Sequence, residues 1–408
     1  MSTSDSTKFR PLLLRSIVQA LHQIFQENRY ADKVIESTLR QNKKSGSRDR
    51  AFIAENTYDI VRNYRLYSEI LGHNPETHWD FWQICGIHFS IKTQTALPDL
   101  IEFKNLKFNE VFIKKEALSI TRAVRESIPD WLDELGSQQL PEVWEETLHN
   151  LNIPAQVVLR ANRLKTDREK LKTALQSEDI ETEFLGSADT LLLKKRKNVF
   201  QSKAFQSGWF EVQDYSSQKV APLLAPEPGM RVIDACAGAG GKTLHLAALM
   251  ENKGSIIALD THAWKLDSLK KRARRAGAFN IEVRNIENTK TIKRLHNSAD
   301  RLLLDVPCSG LGVLRRNPDT KWKLSVEQLE ELKETQQHIL SSYSQMLKAG
   351  GKMVYATCSI LPSENREQVD KFLQSENGAA FELIEDKTIL PQSEGFDGFY
   401  MALLEKKP

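Results

Sequence analysis

Two of the four cysteines follow apolar runs late in the chain, and their positions indicate thiol chemistry. Cys308 comes directly after "LLLDVP" and Cys358 directly after "VYAT", so each lies just beyond a predicted buried strand. A single free cysteine is more often buried and inert than reactive. Two cysteines at strand ends, one of them close to Asp305, are hard to explain by packing alone. We therefore expect a nucleophilic thiol at this site.

Methylation at a pyrimidine carbon is the chemistry that needs such a pair. C5 of cytosine is too weak a nucleophile to attack a methyl sulfonium directly. A thiolate that adds at C6 converts the ring into an enamine whose C5 can attack, and an acid near N3 stabilises the charge that develops on the ring. One cysteine would be the nucleophile, and the second could assist release once the C5 proton has been lost.

A glycine-rich turn in "RVIDACAGAGGKTLHLA" indicates a cofactor site. The turn does not match a P-loop, because Cys236 stands where that motif needs its first glycine. It does not match the dinucleotide fingerprint either, because Thr243 occupies the last glycine position. Small residues let a ligand approach the backbone, and Asp260 at the end of the next strand suits two ribose hydroxyls. The combination predicts S-adenosylmethionine.

A parallel sheet is needed to bring these residues to one edge. From Arg231 onward, strand patterns such as "RVIDACA", "SIIALD", "RLLLDVP" and "GKMVYATCS" alternate with helical stretches. Such alternation predicts an α/β, Rossmann-like doubly wound sheet, here over residues 214–408. Ligands bind such sheets at the carboxyl ends of the strands. Ser325 and Gln328 predict a capping box at the start of the long helix that precedes the last of these strands.

Two further regions come before this sheet. Residues 1–139 carry apolar residues at helical spacing, with little glycine or proline and no alternating strand pattern, so they predict an all-helical domain. Residues 140–213 combine strand, helix and two further strands, which predicts a small α/β subdomain.

The composition is that of a soluble globular protein, with 40% hydrophobic and 27% charged residues. A net charge of +3 is compatible with nucleic-acid binding but too small to establish it. The cysteine spacing predicts neither a disulfide framework nor a metal site. Because the first residues lack the pattern of a signal peptide and no apolar run approaches a membrane span, we expect a cytoplasmic protein with reduced thiols. Cys85 is expected in a core.

The sequence resembles the RNA cytosine-5 methyltransferase family that includes RsmB, Sun and the Nop proteins. The resemblance runs over nearly the whole chain, and cysteine after "DVP" together with cysteine in "ATCS" is its most specific part. It implies that Cys358 is the nucleophile, Cys308 the release residue and Asp305 the acid of the active-site strand. The segment "CAGAGGK" matches the family's cofactor loop, although Ala239 replaces its usual proline.

The resemblance also implies a set of cofactor-binding residues. The family has an aspartate near the adenine, where Glu287 falls closest and Asn285 is the other candidate. The implied cofactor-binding residues are Cys236, Ala237, Gly238, Ala239, Gly240, Gly241, Lys242, Asp260, Glu287 and Asp305. No metal is implied.

The implied substrate is RNA. The helical region, with "SRDRAFIAENTYDIVRNYR", resembles the NusB-type RNA-binding domain of bacterial RsmB enzymes, and the small α/β subdomain is expected to be RRM-like. This favours a cytidine of small-subunit ribosomal RNA, in an opened or single-stranded segment because the base must leave its stack. A monomer is favoured.

Three basic segments are candidates for RNA contact. "LRRNPDTKW" follows Cys308, and its Arg315, Arg316, Lys321 and Trp322 are expected to hold phosphates or close over the target. The runs at 191–198, "LLLKKRKN", and 270–277, "KKRARRAG", are more typical of solvated faces, with RNA contact as the alternative.

Three other functions remain open at this point. The same chemistry could act on transfer RNA. A DNA cytosine methyltransferase would use Cys308 as its nucleophile and leave Cys358 dispensable. A non-catalytic RNA-binding assembly factor is the third alternative, and the intact cysteine pair argues against it.

Overall fold

The computed structural model describes residues 10–42, 45–118, 121–186 and 189–408. The polar start of the chain, on which part of the signal-peptide argument rests, lies outside these residues. The chain forms two compact units. The helical unit comprises the residues up to Ile153 together with Leu314–Leu324, and the sheet unit comprises Pro154–Val313 together with Ser325–Pro408.

The helical unit contains helices only in its described residues before Pro154, as predicted. Its long first helix buries Leu14, Ile17 and Leu21 on one face, where they pack into a core that also includes Cys85. The helices are α1 (Pro11–Phe25), α2 (Ala31–Gln41), α3 (Ser47–Arg62), α4 (Tyr64–Leu71), α5 (His78–Thr93), α6 (Phe108–Leu118), α7 (Arg122–Arg125), α8 (Asp130–Gln139) and α9 (Trp144–Leu151).

The helical unit extends past the predicted boundary at residue 139. Trp144 in α9 packs so closely on α8 that a Cβ atom at Gly136 would lie 2.2 Å from its ring. The indole nitrogen of Trp144 also donates a hydrogen bond to Asp133 at 2.8 Å. α8 and α9 therefore pack as a pair, and both lie before Pro154 in the helical unit.

A small antiparallel sheet begins the sheet unit. Its strand order is β2-β3-β1-β4, and Leu171 and Leu175 of the intervening helix are fully buried in its core. The fourth strand was not predicted from the sequence; it pairs with the first. The elements are β1 (Val158–Ala161), α10 (Arg168–Gln176), β2 (Thr182–Phe184), β3 (Thr190–Leu193), α11 (Lys203–Gln206) and β4 (Phe210–Val212).

A seven-stranded sheet forms the rest of the unit, with the order β10-β11-β9-β8-β5-β6-β7. The elements are α12 (Tyr215–Gln218), α13 (Val220–Leu224), β5 (Arg231–Asp234), α14 (Gly241–Leu249), β6 (Ser255–Asp260), α15 (Ala263–Ala276), β7 (Ile281–Asn285), α16 (Thr289–Lys293), β8 (Ala299–Asp305), α17 (Thr320–Lys323, in the helical unit), α18 (Val326–Tyr343), β9 (Leu347–Thr357), α19 (Arg366–Leu373), β10 (Phe381–Ile389), α20 (Pro391–Glu394) and β11 (Phe399–Lys406).

The five strands β5 to β9 run parallel, which confirms the predicted Rossmann-like α/β sheet. The two last strands are antiparallel additions at the edge beyond β9. The chain order reverses between β5 and β8, and ligand sites of doubly wound sheets lie at such a point. The capping box at the start of α18 is also confirmed, because Ser325 and Gln328 exchange hydrogen bonds of 3.1 and 3.3 Å.

Membrane and metal features are both absent from the described residues. Within them, no helix is both long and apolar enough to cross a bilayer. Nor do three or more His, Cys, Asp or Glu side chains of that part of the chain come together as a possible metal site.

Candidate active site

The structure brings the two predicted cysteines into contact. β8 and β9 are parallel neighbours, so the turns after their carboxyl ends lie side by side. The Sγ atoms of Cys308 and Cys358 are 3.3 Å apart. The contact with Cys358, together with burial and the charge of Glu364, raises the pKa of the Cys308 thiol well above its usual value. The two thiols therefore interact directly, so the state of one affects the other.

A close backbone approach holds the two cysteine turns together. The amide of Gly312 donates to the carbonyl oxygen of Cys358 at 2.9 Å, and the amide of Gly398 donates to the carbonyl of Gly312 at 2.8 Å. A Cβ atom at Gly312 would lie 2.2 Å from the Gly398 oxygen and 2.7 Å from the Cys358 oxygen. Only glycine fits at this position, which was not predicted from the sequence.

Asp305 and Lys242 connect the cysteine pair to the cofactor turn. Asp305 ends β8, and Lys242 stands in the first turn of α14. The Nζ atom of Lys242 lies 2.6 Å from a carboxylate oxygen of Asp305. Both residues were predicted as cofactor contacts, Asp305 also as the active-site acid, and the structure places them in one ion pair.

The glycine turn, residues 236–241, uses its glycines in two different ways. Gly238 and Gly240 have positive φ angles of 53° and 89°, which other residues rarely adopt. A Cβ atom at Gly240 would lie 2.5 Å from Cγ of Leu269, so this glycine allows close packing. At Gly238 and Gly241 an added Cβ would meet no atom of the described residues within 4 Å. These two glycines leave open space where a ligand could approach the backbone.

The remaining residues of the turn are fixed mainly through their backbone. The amide of Ala237 donates to the carbonyl of Leu259 at 2.8 Å, and the carbonyl of Ala239 accepts from Arg272 at 2.8 Å. Burial raises the pKa of the Cys236 thiol well above its usual value. Cys236 is therefore expected to line the site as a neutral thiol and not as a second nucleophile.

Asp260 organises the turn as well as facing it. Its carboxylate accepts hydrogen bonds from the amides of Gly238 at 2.9 Å and His262 at 2.8 Å. The ring of His262, for which no role was predicted, lies 3.2 Å from the same carboxylate. A ribose at this position would bind to an acid whose orientation is already set.

A cavity of about 430 Å³ lies near Asp260 and is lined by Ile286, Glu287, Asn288 and Tyr343 among others. Burial, with smaller contributions from Cys236 and Asp260, raises the pKa of Tyr343 to about 12. The amide of Ile286, which lines the cavity, donates to the carbonyl of Asp260 at 2.9 Å, so one end of the cavity lies beside the end of β6. Tyr343 comes from α18 and was not predicted as a site residue.

The two candidates for the adenine contact have different surroundings. In the amide orientation that satisfies its hydrogen bonding, Asn285 donates to the carbonyl oxygens of Asp260 and Thr261 at 3.0 and 3.2 Å. Asn285 therefore fixes the ends of β6 and β7. Glu287 is exposed and lines the cavity, so it is the better placed of the two.

Asp234, at the end of β5, is a buried acid below the glycine turn. It is 1% exposed, and the hydroxyl of Thr243 donates to one of its oxygens at 2.7 Å. Its other oxygen has no hydrogen-bond partner in the part of the chain that the structure describes. Burial is the main cause that raises the pKa of Asp234 to about 7, and the nearby charge of Asp305 adds to it.

Asp234→Asn should therefore change how stability depends on pH. An acid whose pKa is raised by folding stabilises the fold below its unfolded pKa, near 3.8, and this contribution is lost as pH rises through about 7. The melting temperature of Asp234→Asn, relative to wild type, should rise between pH 5 and pH 8, because asparagine does not ionise. Each pKa unit corresponds to ~1.4 kcal/mol. If the melting temperatures of the variant and the wild type change with pH in the same way across this range, Asp234 is not a buried acid with a raised pKa.

The segment after Cys308 does not offer the side chains expected to meet RNA. Leu314–Leu324 belongs to the helical unit. Lys321 is 1% exposed and donates to the carbonyl of Arg62 at 2.9 Å and to Asn152 at 3.1 Å. Trp322 donates to the carbonyl of Val61 at 2.7 Å. Both side chains hold this segment within the helical unit, and the prediction that Lys321 contacts RNA was wrong because Lys321 is buried.

The arginines of this segment are also largely occupied. Arg315 is 6% exposed, and its Nε atom donates to the carbonyl of Ile153 at 3.1 Å. Arg316 is half-buried. The expectation that Arg315 holds a phosphate is therefore not met.

The basic helix α15 divides into two faces. Arg272 and Arg275 both form ion pairs with Glu211 of β4, and the Arg275 guanidinium lies 3.8 Å from the centre of the Phe205 ring. These arginines join the helix to the small sheet. The remaining cations of the run, Lys270, Lys271 and Arg274, are exposed, as expected for a solvated face.

The doubly wound sheet, with a glycine turn and an acid at the end of the second strand, defines a Rossmann-like methyltransferase. Residues 221–405 match the family described as 16S rRNA methyltransferase RsmB/F, and residues 128–200 match the ferredoxin-like domain of RsmF/B-like methyltransferases. The chain belongs to the RsmB/F family of 16S rRNA methyltransferases.

Curated relatives share nearly the whole length of the chain. The chain is 31% identical to the probable ribosomal RNA small subunit methyltransferase B of Synechocystis, an alignment that covers 95% of this chain and 97% of the relative. It is 29% identical to the protein of the same description from Bacillus subtilis, with coverage of 96% and 98%.

Solved structures share the fold. The crystal structure of PH0851 superposes with a TM-score of 0.82 at 24% identity, covering 98% of this chain and 99% of that one. The structure of NSun6 from Pyrococcus horikoshii with SFG superposes with a TM-score of 0.62 at 21% identity, covering 69% and 98%.

Proposed function

We propose that this protein is an RNA cytosine-C5 methyltransferase that uses S-adenosylmethionine and acts on a cytidine of small-subunit ribosomal RNA. The observation that carries the proposal is the 3.3 Å contact between Cys308 and Cys358 at the ends of adjacent strands. Membership of a 16S rRNA methyltransferase family supports the substrate class. We propose that the helical unit, with its NusB-like sequence, helps to bind that RNA.

The residues at the sheet edge fit S-adenosylmethionine. Gly238 and Gly241 leave room for close approach to the backbone, Asp260 is oriented for ribose hydroxyls, and Glu287 lines the neighbouring cavity. When bound, this cofactor supplies an electrophilic methyl group. The ion pair of Lys242 with Asp305 links the start of α14, next to the glycine turn, to the end of β8.

The chemistry follows from the two cysteines and Asp305. The Cys358 thiolate adds to C6 of cytosine while N3 takes up a proton from solvent, and the Asp305 carboxylate accepts a hydrogen bond from the resulting N3–H group. C5 then takes the methyl group. Release requires that the C5–H bond breaks, the C5–C6 double bond forms again and the C6–S bond breaks to return the Cys358 thiolate. Cys308 is positioned to assist this release: its thiol can donate to the departing Cys358 sulfur while water takes the C5 proton and N3 returns its proton to solvent.

Methyl transfer to defined nucleic acids tests the proposal. The purified protein is incubated with S-adenosylmethionine carrying a labelled methyl group and with 16S ribosomal RNA, assembled small subunits, transfer RNA or duplex DNA. Label in the ribosomal RNA, located by bisulfite sequencing at one cytidine, is the expected result. Bisulfite mapping of RNA from cells that lack the gene should show the same cytidine unmethylated. Transfer to transfer RNA or DNA alone would overturn the assigned substrate.

Neutralising the basic loop of the small sheet should weaken RNA binding. Lys194, Lys195 and Arg196 are all exposed after β3, so their replacement by glutamine should cost little stability. For each phosphate that the variant no longer neutralises, the slope of log affinity against log salt should become shallower by about 0.7 to 0.9. Binding of 16S fragments is measured by fluorescence anisotropy over a salt series.

A matched triple variant controls for net charge. Lys270, Lys271 and Arg274 are three exposed cations on α15, and their replacement by glutamine removes the same charge. We expect this variant to keep its RNA affinity. If RNA binding weakened only for the α15 variant, the RNA-binding surface would lie on α15 and not on the loop after β3.

A further inference from the structure

Each cysteine of the pair is followed by a serine, and both serines bind one buried carboxylate. Glu364, in the short turn after β9, is 0% exposed. One of its carboxylate oxygens accepts from the backbone amide of Ser309 at 2.8 Å and from the side chain of Gln336 at 3.0 Å. The other accepts from the hydroxyls of Ser309 and Ser359. Four uncharged donors thus converge on a single acid.

Further bonds fix this acid relative to both cysteine turns. The Tyr355 hydroxyl donates to the Glu364 carbonyl at 2.7 Å, and Gln336 also donates to the carbonyl of Pro307 at 3.0 Å. Asn365 donates to the carbonyl of Ser359 at 3.1 Å. A carboxylate is costly to bury unless its oxygens are hydrogen-bonded, and here Ser309 and Gln336 come from segments distant in the sequence, whereas Ser359 lies 5 residues before Glu364. Packing alone would not require so many hydrogen bonds around one buried acid.

We propose that Glu364 is a positioning residue that sets the distance between the two cysteines through Ser309 and Ser359. The division of roles between the cysteines rests on the proposed function, whereas the positioning itself does not. A shift of either serine would move the adjacent Sγ atom out of the 3.3 Å contact. The position of reacting groups at this level of precision strongly affects rates.

The charge of Glu364 adds an electrostatic consequence. Cys308 is faced by Cys358, Glu364 and Tyr355. After the contact with Cys358 and burial, the Glu364 charge contributes to the raised pKa of Cys308. The same acid that holds the turns therefore favours the thiol form of Cys308, which suits a residue that does not attack the base.

Thiol reactivity tests the positioning without any RNA. With both cysteines present, the rate at which iodoacetamide alkylates Cys308 is followed from pH 7 to pH 11 by peptide mass spectrometry. Glu364→Gln keeps the size of the side chain and removes its charge. We expect the midpoint of the Cys308 profile to move to lower pH by about one pH unit. An unchanged profile in a folded Glu364→Gln protein would overturn the proposal.

Asn162→Ala is the matched control for the removal of buried hydrogen bonds. Asn162 is buried in the same unit, and its side chain donates to the carbonyls of Gly208 at 2.8 Å and Ala276 at 2.7 Å. This variant should lower the melting temperature without moving the Cys308 profile. An equal movement of the profile in Asn162→Ala would reduce Glu364 to a structural role and overturn the proposal.

Substitution of the two serines tests the positioning of each cysteine separately. These variants also replace the Glu364→Gln test if that variant does not fold. Ser359→Ala should slow formation of the covalent adduct with RNA containing 5-fluorocytidine by about 10-fold, since a displaced nucleophile loses its orientation. Ser309→Ala should keep adduct formation and slow turnover on ordinary RNA. The KM for S-adenosylmethionine should stay unchanged in both. Wild-type kinetics in both serine variants would overturn the positioning role.

The proposed function and the positioning role fail in different ways. If the wild-type protein forms no adduct and methylates no RNA, the proposed function fails. A shifted Cys308 profile in Glu364→Gln would still support the positioning role in that case. If methylation proceeds and the profile does not move, the proposed function stands and the role of Glu364 falls.

Discussion

Cys358→Ala should abolish both the covalent RNA adduct and the methylated product, whereas Cys308→Ala should accumulate the adduct. Attack on C6 needs one thiolate, while elimination needs a positioned group that donates to the departing Cys358 sulfur. The 3.3 Å contact between the two Sγ atoms places Cys308 next to the carbon–sulfur bond that must break. Loss of the nucleophile should reduce the methylation rate on the order of 10³-fold or more.

Denaturing electrophoresis with labelled RNA separates the two cysteines. For Cys308→Ala we expect a protein–RNA band that survives denaturation and disappears in the Cys308→Ala, Cys358→Ala double variant. Cys85→Ala removes a thiol from the core of the helical unit and should leave adduct and product unchanged. The DNA-type mechanism requires the reverse, with the adduct lost in Cys308→Ala and near-normal turnover in Cys358→Ala. That pattern would make Cys308 the nucleophile and leave Cys358 dispensable, while methylation at the pyrimidine carbon would still stand.

Asp260→Ala should lower the affinity for S-adenosylmethionine by about 10-fold to more than 100-fold. Charge-assisted hydrogen bonds to ribose hydroxyls contribute ~1.5–3 kcal/mol each. The structure adds a second cause, because the same carboxylate accepts from the amides of Gly238 and His262. Without it the glycine turn loses the side chain that closes it, so the remaining cofactor contacts weaken as well.

Calorimetric titration with S-adenosylmethionine measures this loss. Asp260→Asn, which keeps one acceptor oxygen, should bind more tightly than Asp260→Ala and less tightly than wild type. Glu287→Ala is the comparison within the same site, and its effect should be smaller because Glu287 is exposed. Unchanged affinity in Asp260→Ala, with a normal melting temperature, would remove Asp260 from the cofactor site.

The sequence by itself determined the parts of this protein whose chemistry is local. The glycine turn, Asp260 at a strand end and the two cysteines could be predicted because strand and helix periods place them at one edge of a parallel sheet. The capping box of Ser325 and Gln328 was predictable for the same reason, since both partners lie within one helical turn.

Only the tertiary structure decided which polar side chains are buried and what they bind. Lys321 stands in a charged stretch typical of a solvated loop, but its acceptor, the Arg62 carbonyl, lies 259 residues earlier in the chain. Glu364 likewise meets Ser309 across 55 residues. A buried charge is stable only where enough partners converge to replace water, and that convergence is a property of the folded chain. Charge patterns along the sequence do not specify such partners, so the RNA contacts predicted for Lys321 were wrong and the role of Glu364 was not foreseen.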